Sequence, residues 1–234
     1  MRTALALALL MVASACGGDE HAEPEPVRFD AADGVQLAGT LFGEGDVAVV
    51  LSHMGRPGDT QRDWRSLART LADRGYLVLT YNRRGIPPSQ GVDDYRDSWQ
   101  DVVGADRFVR SHGAERVIFI GASIGAMSTL YAAGHAAIEP AGLAEIAGIE
   151  GGAYEYRRRD VHRIPGLKLF LSSERDIYGG APAARHWYSW ATQPKRLVIL
   201  AGEKHGTDML RPTEPTAKRL RDVLVDFVDE AAGR

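Results

Sequence analysis

The chain has 234 residues, of which 44% are hydrophobic and 25% are charged, and its formal net charge is −3. That length is enough for one domain with a full hydrophobic core, and the composition excludes disorder for most of the chain. A slightly acidic chain without a basic field is not a nucleic-acid binder. The single cysteine, Cys16, excludes an intramolecular disulfide and a cysteine-based metal cluster.

The first residues are typical of an exported protein. Arg2 precedes an apolar run at residues 4–12, which is too short to cross a bilayer but suits the core of a signal peptide. Small residues then lead into Cys16, and this segment resembles a bacterial lipobox, although Ala13 replaces the usual leucine. The resemblance implies cleavage before Cys16 and a lipid on that cysteine.

We therefore expect a signal peptide at residues 1–15, a flexible tether at residues 16–26 and one folded domain at residues 27–234. The acidic residues and prolines of the tether are typical of a solvated linker. A lipid on Cys16 would anchor the chain to the bacterial cell envelope. The alternative is a plain secretory signal cleaved near Ala15, which would give a secreted or periplasmic soluble protein.

Strand-like and helix-like patterns alternate along the rest of the chain. Strands are predicted at residues 27–30, 35–41, 48–51, 76–81, 117–120, 142–149, 168–171 and 196–201, and helices at residues 60–75, 99–113, 124–133, 182–190 and 220–228. The first two strands flank an Asp33-Gly34 turn, and Thr60 with Asp63 can cap the first helix. This alternation predicts an α/β fold, with a mostly parallel sheet covered by helices on both faces.

The stretch Gly121-Ala122-Ser123-Ile124-Gly125 follows a buried strand and precedes a helix. A nucleophile on a sharp, strained turn needs neighbours without side chains, so that strand and helix can pack closely. The pattern is that of the G-x-S-x-G nucleophile elbow, which exposes the serine hydroxyl above the sheet edge. The backbone N–H of Ile124 would then point to where negative charge develops during acyl transfer.

In this context the chain resembles the α/β-hydrolase superfamily, and particularly its small, nearly lidless members related to dienelactone hydrolases and bacterial esterases. The resemblance implies the α/β-hydrolase fold, with a central sheet of about eight strands. It also implies a catalytic triad whose members follow one another in the order serine, acid, histidine. Only residues 150–164 are available for a lid, which predicts a minimal cap and an open pocket.

Two loops downstream of Ser123 carry the partners that a serine nucleophile needs. Asp176 follows the strand at residues 168–171, and His205 follows the strand at residues 196–201. Both loops lie at carboxyl ends of predicted parallel strands, so both can reach the elbow. We predict Ser123 as the nucleophile, His205 as general base and acid, and Asp176 as the orienting carboxylate, with Glu174 and Glu150 as alternative acids.

The second oxyanion donor should lie in the loop at residues 53–55. The resembled family has His-Gly there, but this chain has His53-Met54-Gly55. We predict the N–H of Met54 as the donor, with that of Gly55 as the alternative, and His53 as a residue that structures the loop. Residues 82–85 resemble the family's Asp-x-Arg-Gly loop, with asparagine first, and are interpreted as structural.

Some further side chains near the predicted pocket have candidate roles. Tyr178, Trp187 and Met209 are candidates for an apolar wall, although core packing explains Trp187 equally well. The arginines at residues 157–159 are interpreted as a solvated surface, with attraction of an anionic ester or a membrane surface as the alternative.

These patterns predict a serine hydrolase that cleaves a carboxylic ester or a similar small acyl substrate. No metal-binding motif, dinucleotide fingerprint or Walker lysine is visible, so neither a metal nor a cofactor is predicted. One alternative is a catalytically silent binding lipoprotein with the same fold, which the methionine at position 54 favours. Another is an amidase, peptidase or thioesterase that uses the same triad. The oligomeric state and the identity of the substrate are open at this point.

Overall fold

The computed structural model describes residues 23–152 and 154–234, and its centre is one eight-stranded sheet. The strands are β1 (Glu25–Asp30), β2 (Gln36–Phe42), β3 (Val47–Ser52), β4 (Leu77–Tyr81), β5 (Arg116–Ala122), β6 (Gly142–Ile146), β7 (Leu167–Ser173) and β8 (Lys195–Leu200). Their order across the sheet is β1-β2-β4-β3-β5-β6-β7-β8. The pairs β1–β2 and β2–β4 are antiparallel, and all other neighbouring strands are parallel.

Helices cover both faces of this sheet. They are α1 (Arg65–Ala72), α2 (Ser98–Ser111), α3 (Ile124–Gly134), α4 (Arg158–His162), α5 (Gly180–Trp190) and α6 (Ala217–Ala232). Because side chains alternate along a strand, β5 contributes Val117 and Phe119 to one core and Ile118 and Ile120 to the other. The first core includes residues of α2, α3 and α5, and the second includes residues of α1 and α6. This arrangement confirms the predicted fold class.

Three boundaries differ from the prediction. Strand β1 begins at Glu25, so the last two residues of the predicted tether pair with β2; Pro26 is tolerated because β1 is an edge strand. The turn before β2 is a five-residue connection, since Asp30 pairs with Gln36. Strand β6 ends at Ile146, three residues early, because Ala147 adopts a left-handed φ of 52° and bends the chain.

The first predicted helix is two elements in the structure. A 3-10 turn at Gln61–Trp64 leads into α1, and Thr60 caps it as predicted. The Thr60 N–H donates to Asp63 Oδ2 at 3.0 Å, and Arg62 N–H donates to Thr60 Oγ1 at 3.3 Å. The capping box therefore starts the helical segment at the residue that the sequence indicates.

The connection between β6 and β7 is where the resembled family inserts a lid. In the part of this connection that is described, the only helix is α4, which has five residues. Tyr154, which lies four residues before α4, is buried, and the Tyr154 hydroxyl donates to the carbonyl of Tyr95 at 2.5 Å. The segment is therefore packed onto the domain rather than raised above it, as the prediction of a minimal cap requires.

Candidate active site

Ser123 occupies a strained turn between β5 and α3. Its φ of 52° and ψ of −117° are rarely adopted by a residue with a side chain, and such strain is typical of functional sites. The Ser123 N–H donates to the Ile146 carbonyl at 2.9 Å, which fixes the turn to the end of β6. The serine side chain therefore projects from the carboxyl edge of the sheet on a backbone that the neighbouring strand holds in place.

The two glycines around Ser123 are required by close backbone contacts. A Cβ on Gly121 would lie 2.4 Å from the carbonyl oxygen of Gly125. A Cβ on Gly125 would lie 2.3 Å from the carbonyl oxygen of Ser52, at the end of β3. Neither position has room for a side chain, so the G-x-S-x-G pattern is explained by the packing of strand, turn and helix.

His205 and Asp176 are in direct contact, as the sequence predicts. His205 Nδ1 lies 2.8 Å from Asp176 Oδ2, and the side chains are 5% and 0% exposed. The carboxylate also accepts from the N–H of Tyr178 at 2.9 Å and from Ser172 Oγ at 3.4 Å. These contacts fix the carboxylate and leave it able to orient the imidazole ring.

The alternative acids do not contact the histidine. Glu174 is 64% exposed and forms an ion pair with Arg175. Glu150 is 45% exposed and contacts His186. Among the three carboxylates that the sequence offered, the structure pairs only Asp176 with His205.

The loop of His205 packs against the start of the nucleophile turn. A Cβ on Gly206 would lie 3.5 Å from the Cβ of Ala122, the residue before Ser123. The same loop contacts Met54, because the Thr207 N–H points at the Met54 sulfur at 3.2 Å. The loops after β3, β5 and β8 therefore meet at one point of the sheet edge.

His53 structures the loop after β3, which confirms its predicted role. Its Nδ1–H donates to the Met54 carbonyl at 2.6 Å, and its Nε2 accepts from the Arg83 N–H at 3.0 Å. Burial, together with the charge of Arg83, lowers the pKa of His53 to about 3. The ring is thus neutral near pH 7, with its proton on Nδ1, and it holds the orientation of the Met54–Gly55 peptide.

The loop at residues 82–85 is structural, as predicted. Arg84 donates to Asp101 Oδ1 and to Asp33 Oδ2, each at 2.8 Å. Asn82 accepts from the Gln61 N–H at 2.9 Å and donates to a backbone carbonyl in its own loop. These contacts connect the end of β4 to α2, to the β1–β2 connection and to the turn before α1.

An ion pair that the sequence did not indicate joins two loops of the site. Arg56, directly after Gly55, donates from Nη1 to Asp208 Oδ2 at 2.7 Å. Asp208 follows His205 by three residues and also accepts from Arg211 at 2.7 Å. Because the partners are 152 residues apart in sequence, only the folded structure reveals that they connect the loop after β3 to the loop of His205.

Glu145 is a second feature that sequence reasoning missed. It lies within β6, is fully buried, and accepts through Oε1 from the Gly148 N–H. Its Oε2 has no hydrogen-bond partner within the described residues. Burial, reinforced by the negative charge of Asp176, raises the pKa of Glu145 to about 8, so the side chain is mainly protonated at neutral pH.

The predicted apolar wall is partly wrong. Trp187 and Met209 are 0% and 1% exposed and belong to the two cores. Tyr178 is exposed, and its ring centroid is 4.6 Å from that of His205. The Tyr95 hydroxyl donates to the Gly55 carbonyl at 3.0 Å. Tyr178 therefore contacts the histidine of the site, and Tyr95 contacts the loop after β3.

Two searches concern features outside this site. Within residues 23–152 and 154–234, no group of three or more histidine, cysteine, aspartate or glutamate side chains is arranged to hold a metal ion. In the same residues no helix is both long and apolar enough to cross a membrane. Cys16, the predicted lipidation site, lies outside the described residues.

The fold agrees with comparisons to known proteins. Residues 49–232 match the alpha/beta hydrolase family, and the chain belongs to that family. A carboxylesterase of Bacillus subtilis (strain 168) is 36% identical over 92 residues, which is 38% of this chain. The match spans only 37% of that relative's own length.

Solved structures show the same architecture over almost the whole chain. The Pyrococcus furiosus esterase Pf2001 has a TM-score of 0.73 and 14% identity, over 88% of this chain and 93% of that chain. XC6422 from Xanthomonas campestris, a serine hydrolase without lid, has a TM-score of 0.67 and 21% identity, over 91% of this chain and 94% of that chain. At these identities the likeness establishes the fold, and the chemistry must be argued from the site.

Proposed function

We propose that this protein is a serine hydrolase that cleaves a carboxylic ester or a similar small acyl compound. The observation that carries the proposal is the 2.8 Å contact between His205 Nδ1 and Asp176 Oδ2, at the sheet edge where Ser123 sits on its strained turn. The names of the relatives, a carboxylesterase and esterases, support the choice of an ester. The small cap supports a substrate that binds in an open cleft.

In the proposed mechanism, the Ser123 hydroxyl oxygen attacks the substrate carbonyl carbon while His205 Nε2 accepts the hydroxyl proton. Asp176 holds the ring by accepting from Nδ1–H, and its charge stabilises the imidazolium that forms. Collapse of the tetrahedral intermediate expels the alcohol, which receives the proton from His205. Water, deprotonated by the same histidine, then hydrolyses the acyl-enzyme and returns the serine.

For the oxyanion hole we propose the N–H groups of Ile124 and Gly55, which replaces our first choice of Met54. The Met54 carbonyl is held by His53, and in a trans peptide the following N–H, that of Gly55, points the opposite way. A Cβ on Gly55 would lie 2.7 Å from Ile124 Cγ1, so the two donors are neighbours. Losing one such donor typically costs about 3 kcal/mol at the transition state.

The first test is covalent labelling with a fluorophosphonate, which reacts with activated serines. We expect wild type to be labelled and Ser123→Ala to lose the label while its circular dichroism spectrum is unchanged. Ser111→Ala is the matched control, because Ser111 is exposed at the end of α2, and it should be labelled like wild type. Labelling that persists in Ser123→Ala would refute the assignment of the nucleophile.

The second test is hydrolysis of p-nitrophenyl esters of increasing acyl length, beside a matched thioester and a matched anilide. Turnover of the esters, abolished in Ser123→Ala, is the expected result. Preferential turnover of the thioester or the anilide would assign the triad to a thioesterase or an amidase. A labelled but inactive protein throughout the series would favour the binding lipoprotein instead.

We also propose that the chain is exported and carries a lipid on Cys16. Support comes from the sequence: an apolar run at residues 4–12, then small residues, then the single cysteine. Metabolic incorporation of a palmitate analogue, followed by fractionation of the expressing bacterium, tests this. Wild type should be labelled and membrane-bound, and Cys16→Ser should lose the label; a soluble, unlabelled wild type would support the plain secretory signal.

A further inference from the structure

A groove of about 770 Å³ beside the active site is lined by an excess of cationic side chains. It lies between α1, the 3-10 turn at Gly206–Leu210 and the first part of α6. Its lining includes the five arginines Arg62, Arg65, Arg69, Arg211 and Arg221, and the three aspartates Asp63, Asp73 and Asp208. A local positive excess in a chain whose formal net charge is −3 attracts anionic partners to this face.

Three of these arginines form a row along one helical segment. Arg62, Arg65 and Arg69 are exposed, and their spacing places them on one face of the helical segment that ends in α1. Within the part of the chain that the structure describes, none of their guanidinium groups has an ion-pair or hydrogen-bond partner. Like charges at this spacing repel one another, so the row is more favourable when an anion is present.

Two of the three aspartates in the lining contact groups outside the row. Asp208 accepts from Arg56 at 2.7 Å and from Arg211 at 2.7 Å. Asp63 accepts from the Thr60 N–H as part of the helix cap. Five arginines against three aspartates give the lining two more positive than negative side chains.

The start of the domain lies next to this groove. Pro24 and Pro26 line a second groove of about 740 Å³, which shares Arg62 and Arg65 with the first. Cys16 is seven residues before Glu23, so even fully extended chain spans only about 25 Å between them. A lipid at Cys16 would therefore keep this face of the domain close to the bilayer.

We call the groove between α1, the 3-10 turn at Gly206–Leu210 and α6 the arginine groove. We propose that it is a docking surface for the anionic phospholipid headgroups of the membrane to which the chain is tethered. Guanidinium groups recognise phosphate oxygens with paired hydrogen bonds, and a row of them suits a surface that carries many phosphates. The choice of a membrane rests on the proposed anchor at Cys16, but the binding of anionic vesicles does not. Thr207 also lines the groove, two residues after His205, so docking brings the catalytic edge next to the lipid surface.

The test is cosedimentation of the full chain with vesicles of phosphatidylcholine alone, and with vesicles that also contain phosphatidylglycerol. The triple variant R62M/R65M/R69M removes the row, and R107M/R163M/R185M is the matched control, with three exposed arginines removed elsewhere. The N-terminal segment is common to all variants, so their comparison isolates the groove. Circular dichroism reports whether each variant remains folded, and hydrolysis of a soluble p-nitrophenyl ester is measured in parallel.

We expect wild type to prefer the anionic vesicles and to lose that preference in high salt. At about 1 kcal/mol for each arginine near an anionic surface, the groove variant should bind them about a hundredfold more weakly, and the control about as well as wild type. If the triple variant fails to fold, R62M and R69M serve singly, each with a loss of about fivefold.

Three results would overturn the proposal. The first is equal binding of wild type to both kinds of vesicle, and the second is an equal loss in the two triple variants. The third is displacement from vesicles by inorganic phosphate but not by sodium chloride of the same ionic strength, because a discrete phosphate site, not a membrane surface, would then explain the groove. Absence of ester hydrolysis with intact vesicle binding would reject the proposed function and leave this inference standing.

Discussion

The substitution Glu145→Gln should stabilise the protein relative to wild type, and this stabilisation should increase as the pH rises. In wild type, Glu145 is fully buried in β6, and burial together with the negative charge of Asp176 raises its pKa from 4.5 to about 8. Glutamine has no proton to lose, and its side-chain oxygen can still accept from the Gly148 N–H, as Glu145 Oε1 does. The substitution therefore removes the titration while it keeps this hydrogen bond.

The sign and the size follow from proton linkage. Between the unfolded pKa of 4.5 and the folded pKa of about 8, the folded wild type retains a proton that the unfolded chain has released. Stability from this group is complete below the unfolded pKa and is lost as the pH rises towards the folded one, at about 1.4 kcal/mol per pH unit. The free energy of unfolding of Glu145→Gln, relative to wild type, should thus increase by about 3 kcal/mol between about pH 5 and about pH 7.

Urea unfolding of both proteins at a series of pH values measures this difference directly. All other groups titrate in both proteins, so to first order they cancel in the comparison. Glu139→Gln is the control, because Glu139 is exposed just before β6, and its difference from wild type should not vary with pH. If the difference for Glu145→Gln is equally flat, Glu145 is not held in its protonated form, and the reasoning from burial is wrong.

Three further predictions concern the ion pair between two loops, the turn after α3 and the nucleophile turn. Arg56→Met and Asp208→Asn should each lower kcat/KM, and their double-mutant cycle should give an interaction free energy of about 1–2 kcal/mol. Additive effects would show that the 2.7 Å ion pair does not couple the two loops. Ala136→Gly should raise the free energy of unfolding by about 1 kcal/mol in urea, because Ala136 has a φ of 57° after α3, and no gain would mean that this turn is unstrained. Gly125→Ala should lower the free energy of unfolding by about 3 kcal/mol or more and abolish fluorophosphonate labelling, because the added Cβ would lie 2.3 Å from the Ser52 carbonyl oxygen. Normal labelling would show that this position has room for a side chain.

The contact between His205 and Asp176 could be predicted because it depends on the order of elements. Each residue follows an apolar run that reads as a strand, and parallel strands bring their carboxyl ends to one edge. The glycines around Ser123 could be predicted for a similar reason, since a sharp turn excludes side chains at its flanks. Topology brought the two loops to one edge and the family resemblance supplied the order of the triad, but only the structure distinguished Asp176 from Glu174.

The missed features depend on contacts that periodicity does not encode. Residues 142–149 read as one strand, yet the chain turns at Ala147, whose N–H donates to the Leu171 carbonyl at 2.7 Å. Glu145 holds the same turn through Gly148, so the charged residue inside this apolar run lies next to the point where the strand ends. Arg56 and Asp208 meet because two loops dock on each other, and their sequence separation gives no indication of it.

Methionine at position 54 illustrates how this chain accommodates a departure from the pattern of its family. The Met54 side chain is 1% exposed and lies under the loop of His205, where the Thr207 N–H approaches its sulfur at 3.2 Å. A Cβ on Gly206 would lie 2.3 Å from that sulfur. The methionine side chain at position 54 therefore requires a glycine at position 206. The thioether thus fills the space between the loop after β3 and the loop of His205, whereas the Met54–Gly55 peptide is oriented by His53. Because the packing role belongs to the Met54 side chain and the proposed donor to Gly55, methionine at this position does not argue against catalysis, and the case for a silent binding protein loses its principal support.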